Sequence, residues 1–227
     1  MAFSVSTVAA AGLTLAMAGA AHGFVLWATP NGSGSFFTYS GGGSDNGFFG
    51  NPTLAGGGTQ FLFFPPAFQA TSSNGTAGQM NDRMEVHLIS NAGFRFTQIS
   101  VQEFGDWTIT GIGTVQAQGT MFLTDNLTGP PPTINALQMS PTMPISTQGS
   151  GQWSGTAVRN LLLTGHDWTD LTFVLTNNLQ ATTGAGGASQ IRKTVVGGPA
   201  VIITILPTPG ALALLGFSGL VLARRRR

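Results

Sequence analysis

The chain has 227 residues, contains no cysteine, and only 7% of its residues are charged. The lack of cysteine excludes disulfides and thiolate metal sites. Four of the nine basic residues are the C-terminal Arg224, Arg225, Arg226 and Arg227. Without them, five basic residues face eight acidic ones, a net charge of −3. A nucleic-acid partner, which needs a basic surface, is therefore not supported.

The first 21 residues are typical of a secretory signal peptide. An apolar run over residues 8–18 is followed by the small residues Ala18, Ala20 and Ala21, which suit signal peptidase. No Lys or Arg precedes the run, so the α-amino group supplies the only positive charge there. We expect cleavage by signal peptidase after Ala20 or Ala21 and export of the rest of the chain.

Residues 22–206 form the second unit, which is long enough to bury a core of its own. Turn-forming and β-preferring residues dominate it, while Lys and Glu are nearly absent. In its first half Met84, Val86 and Leu88 alternate with Glu85 and His87, as expected of a strand with one buried face. The unit is predicted to be all-β.

Further strand signals follow along the chain. The alternation that Phe94 and Phe96 begin resumes out of phase at Ile99, which predicts a β-bulge near Thr97. Residues 191–196 and 200–206 flank Gly197-Gly198-Pro199 and predict a tight hairpin. Many short strands without a long amphipathic helix favour an antiparallel β-sandwich of jelly-roll type.

The last unit, residues 207–227, has three parts in a fixed order. The motif Pro207, Thr208, Pro209 and Gly210 comes first, and its prolines are expected to end the preceding strand. The apolar segment 211–223 follows, and as a helix it would span only ~20 Å of a ~30 Å hydrocarbon core. The four arginines then hold the C-terminus on the cytoplasmic side as a stop-transfer signal.

This tripartite tail resembles the PEP-CTERM sorting signal, with Thr208 in the place of the central Glu of that family's motif. The resemblance covers residues 207–227 and implies processing by an exosortase in a Gram-negative bacterium that makes extracellular polysaccharide. It implies a precursor held transiently in the inner membrane, and then a protein at the cell surface or in the extracellular matrix. The alternative is a plain C-terminal membrane anchor.

Few residues of the middle unit are candidates for chemistry, and no known catalytic motif is present. His166, Asp167 and Asp170 cluster around Trp168 and are weak ligand candidates for calcium or sugar. The alternative for them is a polar loop that leads into a strand. No cofactor and no metal is expected.

Three other sets of residues each have a functional and a structural interpretation. Glu85 and His87 share one strand face and would be two ligands of a metal or simply a solvent face. Glu103 and Asp106 would form a glycosidase pair only if their carboxyl groups lay ~5 to 9 Å apart. The tryptophans Trp107, Trp153 and Trp168 would form a sugar-stacking platform or belong to the core.

Together these features predict a non-catalytic exported protein with a structural or binding role, with extracellular polysaccharide as a candidate partner. The alternative is a carbohydrate- or calcium-binding module. A polysaccharide-acting hydrolase is the remaining hypothesis, and its only candidate catalytic residues are Glu103, Asp106, His166 and Asp167.

Overall fold

A computed structural model describes residues 23–129, 131–162 and 164–209. The predicted signal peptide with Ala18, Ala20 and Ala21 lies outside the described residues, as do Gly210, the apolar segment and the four terminal arginines. In the described ranges no helix is long and apolar enough to cross a membrane.

The described part of the chain folds into fifteen β-strands and is all-β, as predicted. Their bounds are β1 Val25–Leu26, β2 Gly32–Ser33, β3 Phe37–Ser44, β4 Pro52–Ala55, β5 Gln60–Phe63, β6 Gln69–Ser73, β7 Ala77–Ser90, β8 Phe94–Thr110, β9 Gly113–Asp125, β10 Thr133–Ala136, β11 Gln138–Ser140, β12 Gly149–Asn160, β13 Asp170–Thr183, β14 Ala188–Arg192 and β15 Val201–Pro209.

The strands form two antiparallel sheets that pack face to face, so the predicted β-sandwich is confirmed. Sheet A has the order β1-β3-β7-β13-β9-β10, with β2 paired to β3. Sheet B has the order β11-β12-β8-β15-β5-β4, with β14 between β6 and β8. From β7 to β15 the long strands alternate between the sheets, so connections cross the sandwich as they do in jelly rolls.

Aromatic side chains from both sheets meet in the core. Phe61 on β5 of sheet B lies 5.2 Å from Tyr39 and 6.0 Å from Phe37, both on β3 of sheet A, between ring centroids. Trp27, which follows β1, packs within 5.7 Å of Phe61 and 5.6 Å of Phe63. All five side chains are at most 7% exposed, and burial of such rings is the main stabilising term in a chain without disulfides.

Strand β8 organises sheet B and carries the predicted bulge. Leu206 of β15 pairs with Gln98, but Pro207 pairs with Phe96, so Thr97 is the extra residue. Both Phe96 and Thr97 are buried, and the Thr97 hydroxyl donates to the carbonyl of Leu206 at 2.9 Å. The phase slip seen in the sequence is therefore confirmed as a bulge.

The predicted hairpin around Gly197-Gly198-Pro199 is wrong. Strand β14 pairs with residues 106–110 of β8 and β15 with residues 94–103, so both run in the same direction along one edge of β8. Residues 193–200 leave that edge as a loop, which contains a single bridge between Val195 and Gly198. Strand β8 is long enough to pair with both β14 and β15, so these two strands do not pair with each other.

The expectation that Pro207 ends the last strand is also wrong, whereas the strand does end at Pro209 within the described residues. Strand β15 continues to Pro209 and pairs there with residues 94–96 of β8. On its other side β5 pairs only with residues 201–204. Proline lacks an N–H group but is tolerated at a sheet edge or a bulge, and β15 offers both at this point.

One ion pair is fully buried in the core. Lys193 Nζ donates to Glu103 Oε2, and neither side chain is exposed to solvent. The Lys193 ammonium lies 5.4 Å from the ring centroid of Phe68 and 5.3 Å from that of Trp153. Burial lowers the pKa of Lys193, and Glu103 opposes that effect. The pair fixes the start of the 193–200 loop against β8.

We expect Lys193→Met to destabilise the protein by roughly 3–5 kcal/mol, because it leaves the Glu103 carboxylate buried without a partner. The double variant Lys193→Met/Glu103→Leu should recover most of that loss, since it removes both charges. Urea unfolding of the three proteins measures the difference. A double variant as unstable as Lys193→Met alone would show that packing, not the orphaned charge, sets the cost.

Candidate functional site

The outward face of sheet A carries a continuous polar surface, which we call the strip. It is built by three adjacent strands, β7, β13 and β9, whose alternate residues face outward in aligned rows. The rows are Gln79–Gln180–Gln116, Asn81–Asn178–Gln118, Arg83–Thr176–Thr120, Glu85–Val174–Phe122 and His87–Thr172–Thr124. Rows lie ~6.8 Å apart along the strands, and neighbouring side chains in a row lie ~5 Å apart across them.

Most amide groups of the strip are available to a ligand. Gln79 donates to the Asn178 side chain at 3.1 Å, and the Thr176 hydroxyl donates to the carbonyl of Thr120 at 3.4 Å. The amides of Asn81 and Gln118 have no side-chain partner among the described residues. An amide offers donors and an acceptor at once, which matches the dual character of a sugar hydroxyl.

A cleft of about 370 Å³ lies at the second and third rows of the strip. The strip residues Asn81, Arg83, Gln118 and Asn178 line it, and the loop after β3 forms its wall. The buried Asp82 carboxylate holds that loop by accepting hydrogen bonds from the Ser44 hydroxyl at 2.9 Å and from the backbone N–H groups of Asn46 and Phe48 at 2.9 and 2.8 Å. The wall of the cleft is thus fixed before any ligand binds.

At the end of the sandwich next to the His87–Thr172–Thr124 row, His166 belongs to a second polar cluster. Its Nδ1 lies 2.8 Å from Asp125 Oδ2, to which the Thr128 hydroxyl also donates at 2.9 Å. The imidazole stacks on Trp168 at 5.5 Å between centroids, and the Trp168 indole N–H donates to the Thr164 hydroxyl at 2.6 Å. These residues line a cleft of about 390 Å³.

Asp170 belongs to a different cluster, on the strip side of the sheet. Its Oδ1 lies 2.6 Å from His87 Nε2 and accepts from the Asn126 side chain at 2.7 Å. The Ser40 hydroxyl lies 3.4 Å from His87 Nδ1. A hydroxyl at that distance is at the long limit of a hydrogen bond, so the arrangement does not activate Ser40 as a nucleophile.

The three ligand candidates from the sequence are therefore not brought together. His166 contacts Asp125, Asp170 contacts His87, and Asp167 is 76% exposed with Arg95 as its nearest cation at 3.9 Å. Glu85, the proposed companion of His87, pairs instead with Arg83. Across the described ranges, no three His, Cys, Asp or Glu side chains converge on a point where a metal ion would sit.

The candidate glycosidase pair lies on two opposite faces of sheet B. Glu103 points into the core against Lys193, whereas Asp106 points outward and accepts from Arg192 Nε at 2.7 Å. An odd spacing of three residues in a strand requires this separation. The two carboxylates cannot act on one substrate.

The tryptophans do not form an exposed stacking platform. Trp153 and Trp168 are buried, and Trp107 is half-buried and packs against the core. The aromatic residue that the strip does expose in part is Phe122, which lies beside Val174. No local pattern marks Phe122 as exposed, because it differs from the core phenylalanines only in its phase along β9.

Comparison with known proteins identifies no family for this chain. No family model and no curated protein matches the chain. Among solved structures, it is similar to TmCBM61 in complex with beta-1,4-galactotriose, at 10% identity over 79% of this chain and 97% of that chain, with a TM-score of 0.24. It is also similar to the carbohydrate-binding module CBM29-2, at 13% identity over 79% of this chain and 89% of that chain, with a TM-score of 0.18.

A third similar structure is the enzymatically active domain of tailspike protein 4 from bacteriophage CBA120. The identity is 11% over 78% of this chain, and the TM-score is 0.24. The chain spans only 20% of that protein's length. Likeness at these identities and TM-scores carries no assignment of function.

The His166 cluster predicts a loss of stability in acid. Burial raises the pKa of the Asp125 carboxyl, but hydrogen bonds from His166, Thr128 and the Leu127 N–H outweigh it and hold this pKa below its usual value of 3.8. A carboxyl whose pKa is lowered by folding stabilises the protein above 3.8, and that contribution disappears as the pH falls through the folded-state pKa.

We expect Asp125→Asn to be less stable than the parent protein at neutral pH and to lose less stability as the pH falls from ~5 to ~2. The matched control is Asp167→Asn, because Asp167 is exposed and its nearest cation lies 3.9 Å away. Urea unfolding across this pH range measures both variants. If the free energy of unfolding of Asp125→Asn and that of the parent protein changed in parallel with pH, the lowered pKa of Asp125 would be contradicted.

Proposed function

We propose that this protein binds polysaccharide on the strip of sheet A and does not catalyse a reaction. The observation that carries the proposal is the alignment of amide and hydroxyl side chains on three adjacent strands. Rigid strands hold these groups at fixed spacing, so little conformational entropy is lost when a ligand binds.

The chemistry of the strip fits a largely uncharged, hydroxyl-rich chain. Two of its rows, Gln79–Gln180–Gln116 and Asn81–Asn178–Gln118, contain only amide side chains. Amides bond sugar hydroxyls in either direction, and the half-buried Phe122 ring offers an apolar surface on which a pyranose can stack. Arg83 is already paired with Glu85 within the strip, so the local charge is balanced.

A hydrolytic role has less support from the geometry. The four candidate catalytic residues lie in three separate places. Glu103 is in the core, Asp106 is on the outer face of sheet B, and His166 and Asp167 are in the loop before β13. Hydrolysis of a glycosidic bond requires two carboxyl groups that face each other across the substrate. The geometry therefore supports binding better than hydrolysis.

Single replacements in the strip test the proposal. We expect Asn81→Ala, Asn178→Ala and Gln118→Ala each to weaken binding of the host's extracellular polysaccharide by about threefold to tenfold, since each removes one or two neutral hydrogen bonds. Isothermal titration calorimetry or affinity electrophoresis measures the change.

Matched controls lie on the outer face of sheet B, where Gln102 and Thr156 are paired and exposed. Gln102→Ala and Thr156→Ala should bind as the parent protein does. Equal losses in the two sets, or unchanged binding in all strip variants, would place the binding surface elsewhere or exclude it.

We further propose that the chain is exported and sorted through its tail to the cell surface or extracellular matrix. The support is the predicted signal peptide, the motif Pro207, Thr208, Pro209 and Gly210, and the following apolar and arginine segments. Because residues 207–209 pair with β8, an exosortase-like enzyme would meet this motif as part of the last strand. We therefore expect the cut on the C-terminal side of Pro209.

The intact mass of the protein from its native host tests this proposal, with surface, medium and membrane fractions measured separately. Loss of about 21 N-terminal residues together with the segment after Pro209 is the expected result in the surface or medium fraction. A mass that retains the apolar segment and arginines, found only in the membrane fraction, would identify a plain anchor.

A further inference from the structure

The cleft that His166 lines also contains an arginine in an unusual position. Arg159 lies on β12 at a position that faces between the sheets, in the same phase as Trp153, Gly155 and Ala157. The preceding inward positions are small or apolar, and this one is a half-buried guanidinium. Arginine at such a position requires partners for its five donors.

The described residues do not supply those partners in full. The Nε atom of Arg159 is buried and has no hydrogen-bond partner, and no ion pair of the described residues includes Arg159. A buried donor left without an acceptor has a free-energy cost. Arg159 also lines the cleft of about 390 Å³, where an acceptor from outside the chain would meet this side chain.

The groups around Arg159 define what this acceptor is. Asp125 lines the same cleft, but His166 and Thr128 and the Leu127 N–H already bond its carboxylate. Because that carboxylate only accepts, His166 Nδ1 carries a hydrogen, and Nε2 has no hydrogen-bond partner among the described residues. Thr133 adds a hydroxyl group to the lining, whereas the Thr164 hydroxyl already donates to the Leu161 carbonyl and accepts from the Trp168 indole. The cleft thus combines one guanidinium with the His166 imidazole and the Thr133 hydroxyl, both of which can bond a hydroxyl.

We propose that this cleft binds the carboxylate of an acidic sugar residue, with Arg159 as the anion-binding group and His166 bonded to a neighbouring sugar hydroxyl. A planar guanidinium matches a carboxylate in bidentate geometry. The inference rests on the proposed polysaccharide-binding function, and the position of the cleft agrees with it. Thr124 in the last row of the strip immediately precedes Asp125, which lines the cleft from the opposite face of sheet A, so this row and the cleft lie at the same end of the sandwich.

The first test observes Arg159 directly. The Nε–H signal of Arg159 in a ¹⁵N NMR spectrum, assigned by its loss in Arg159→Gln, is followed during titration with a glucuronic acid oligosaccharide. We expect this signal and the His166 ring signals to shift, and the carboxyl-reduced form of the same oligosaccharide to leave them unchanged. Absence of a shift with the acidic oligosaccharide overturns the proposal, as does an equal shift and equal affinity with sodium phosphate alone.

The second test compares variants by calorimetry. Arg159→Gln should weaken binding of the acidic oligosaccharide roughly tenfold or more, since a hydrogen bond to a charged group is lost. It should leave binding of the carboxyl-reduced form unchanged. Arg192→Gln, on the outer face of sheet B, is the control and should change neither. The melting temperature of unliganded Arg159→Gln should not fall, because the replacement removes a buried donor that has no partner.

The outcomes separate this inference from the proposed function. If strip variants weaken binding of polysaccharide while Arg159→Gln binds acidic and reduced oligosaccharides as the parent does, the cleft proposal fails and the strip proposal stands. If the acidic oligosaccharide shifts Arg159 while strip variants bind as the parent does, the strip proposal fails alone.

Discussion

The contact between aromatic rings of the two sheets is the constraint on which the other features depend. Phe61 of sheet B packs edge-on against Tyr39 of sheet A, at an interplanar angle of 87°, and Trp27 covers both Phe61 and Phe63. These rings fix which face of each strand points inward. Since side chains alternate along a strand, the outward face is fixed at the same time. The amide rows of the strip are therefore a consequence of the core register.

The same core accommodates an ion pair at the point where sheet B lacks a continuous neighbour for β8. Between β14 and β15 the chain leaves the sheet, and Lys193 turns inward to Glu103 between the rings of Phe68 and Trp153. Gly105 lies beside this point, where a side chain would collide with the Arg192 carbonyl and the Trp153 indole. Such a buried pair adds little net stability but strongly disfavours any register that separates the two charges.

Local sequence patterns predicted the parts of the fold that depend on neighbouring residues. Alternation in β7 and the phase slip at Thr97 follow from one strand's own residues, and both appear in the structure. The hairpin and the strand end at Pro207 were wrong because their outcome depends on β8, which lies about a hundred residues earlier in the chain. Gly-Gly-Pro favours a turn, but it does not specify which strand the flanking residues pair with.

The candidate site was less predictable than the fold, for the same reason. Asn81, Gln118 and Asn178 form one row only because three strands align in a particular register. Conversely, His166 and Asp170 are close in sequence but lie in separate clusters, since Asp170 begins β13 and faces the strip while His166 remains in the loop. Arg159 belongs to no local motif, and its inward position becomes evident only when β12 is placed between the sheets.

This separation between core and surface residues affects how the binding specificity of the protein can change. Residues of the strip contribute little to the aromatic core, so they can change without loss of the fold, and the specificity of binding can vary independently of stability. Arg159 is different, because it occupies an inward position and leaves a buried donor without a partner. A residue kept at a cost to stability is better explained by a ligand than by packing. The two proposed surfaces would place hydroxyl-binding groups along one face of the sandwich and an anion-binding group at its end.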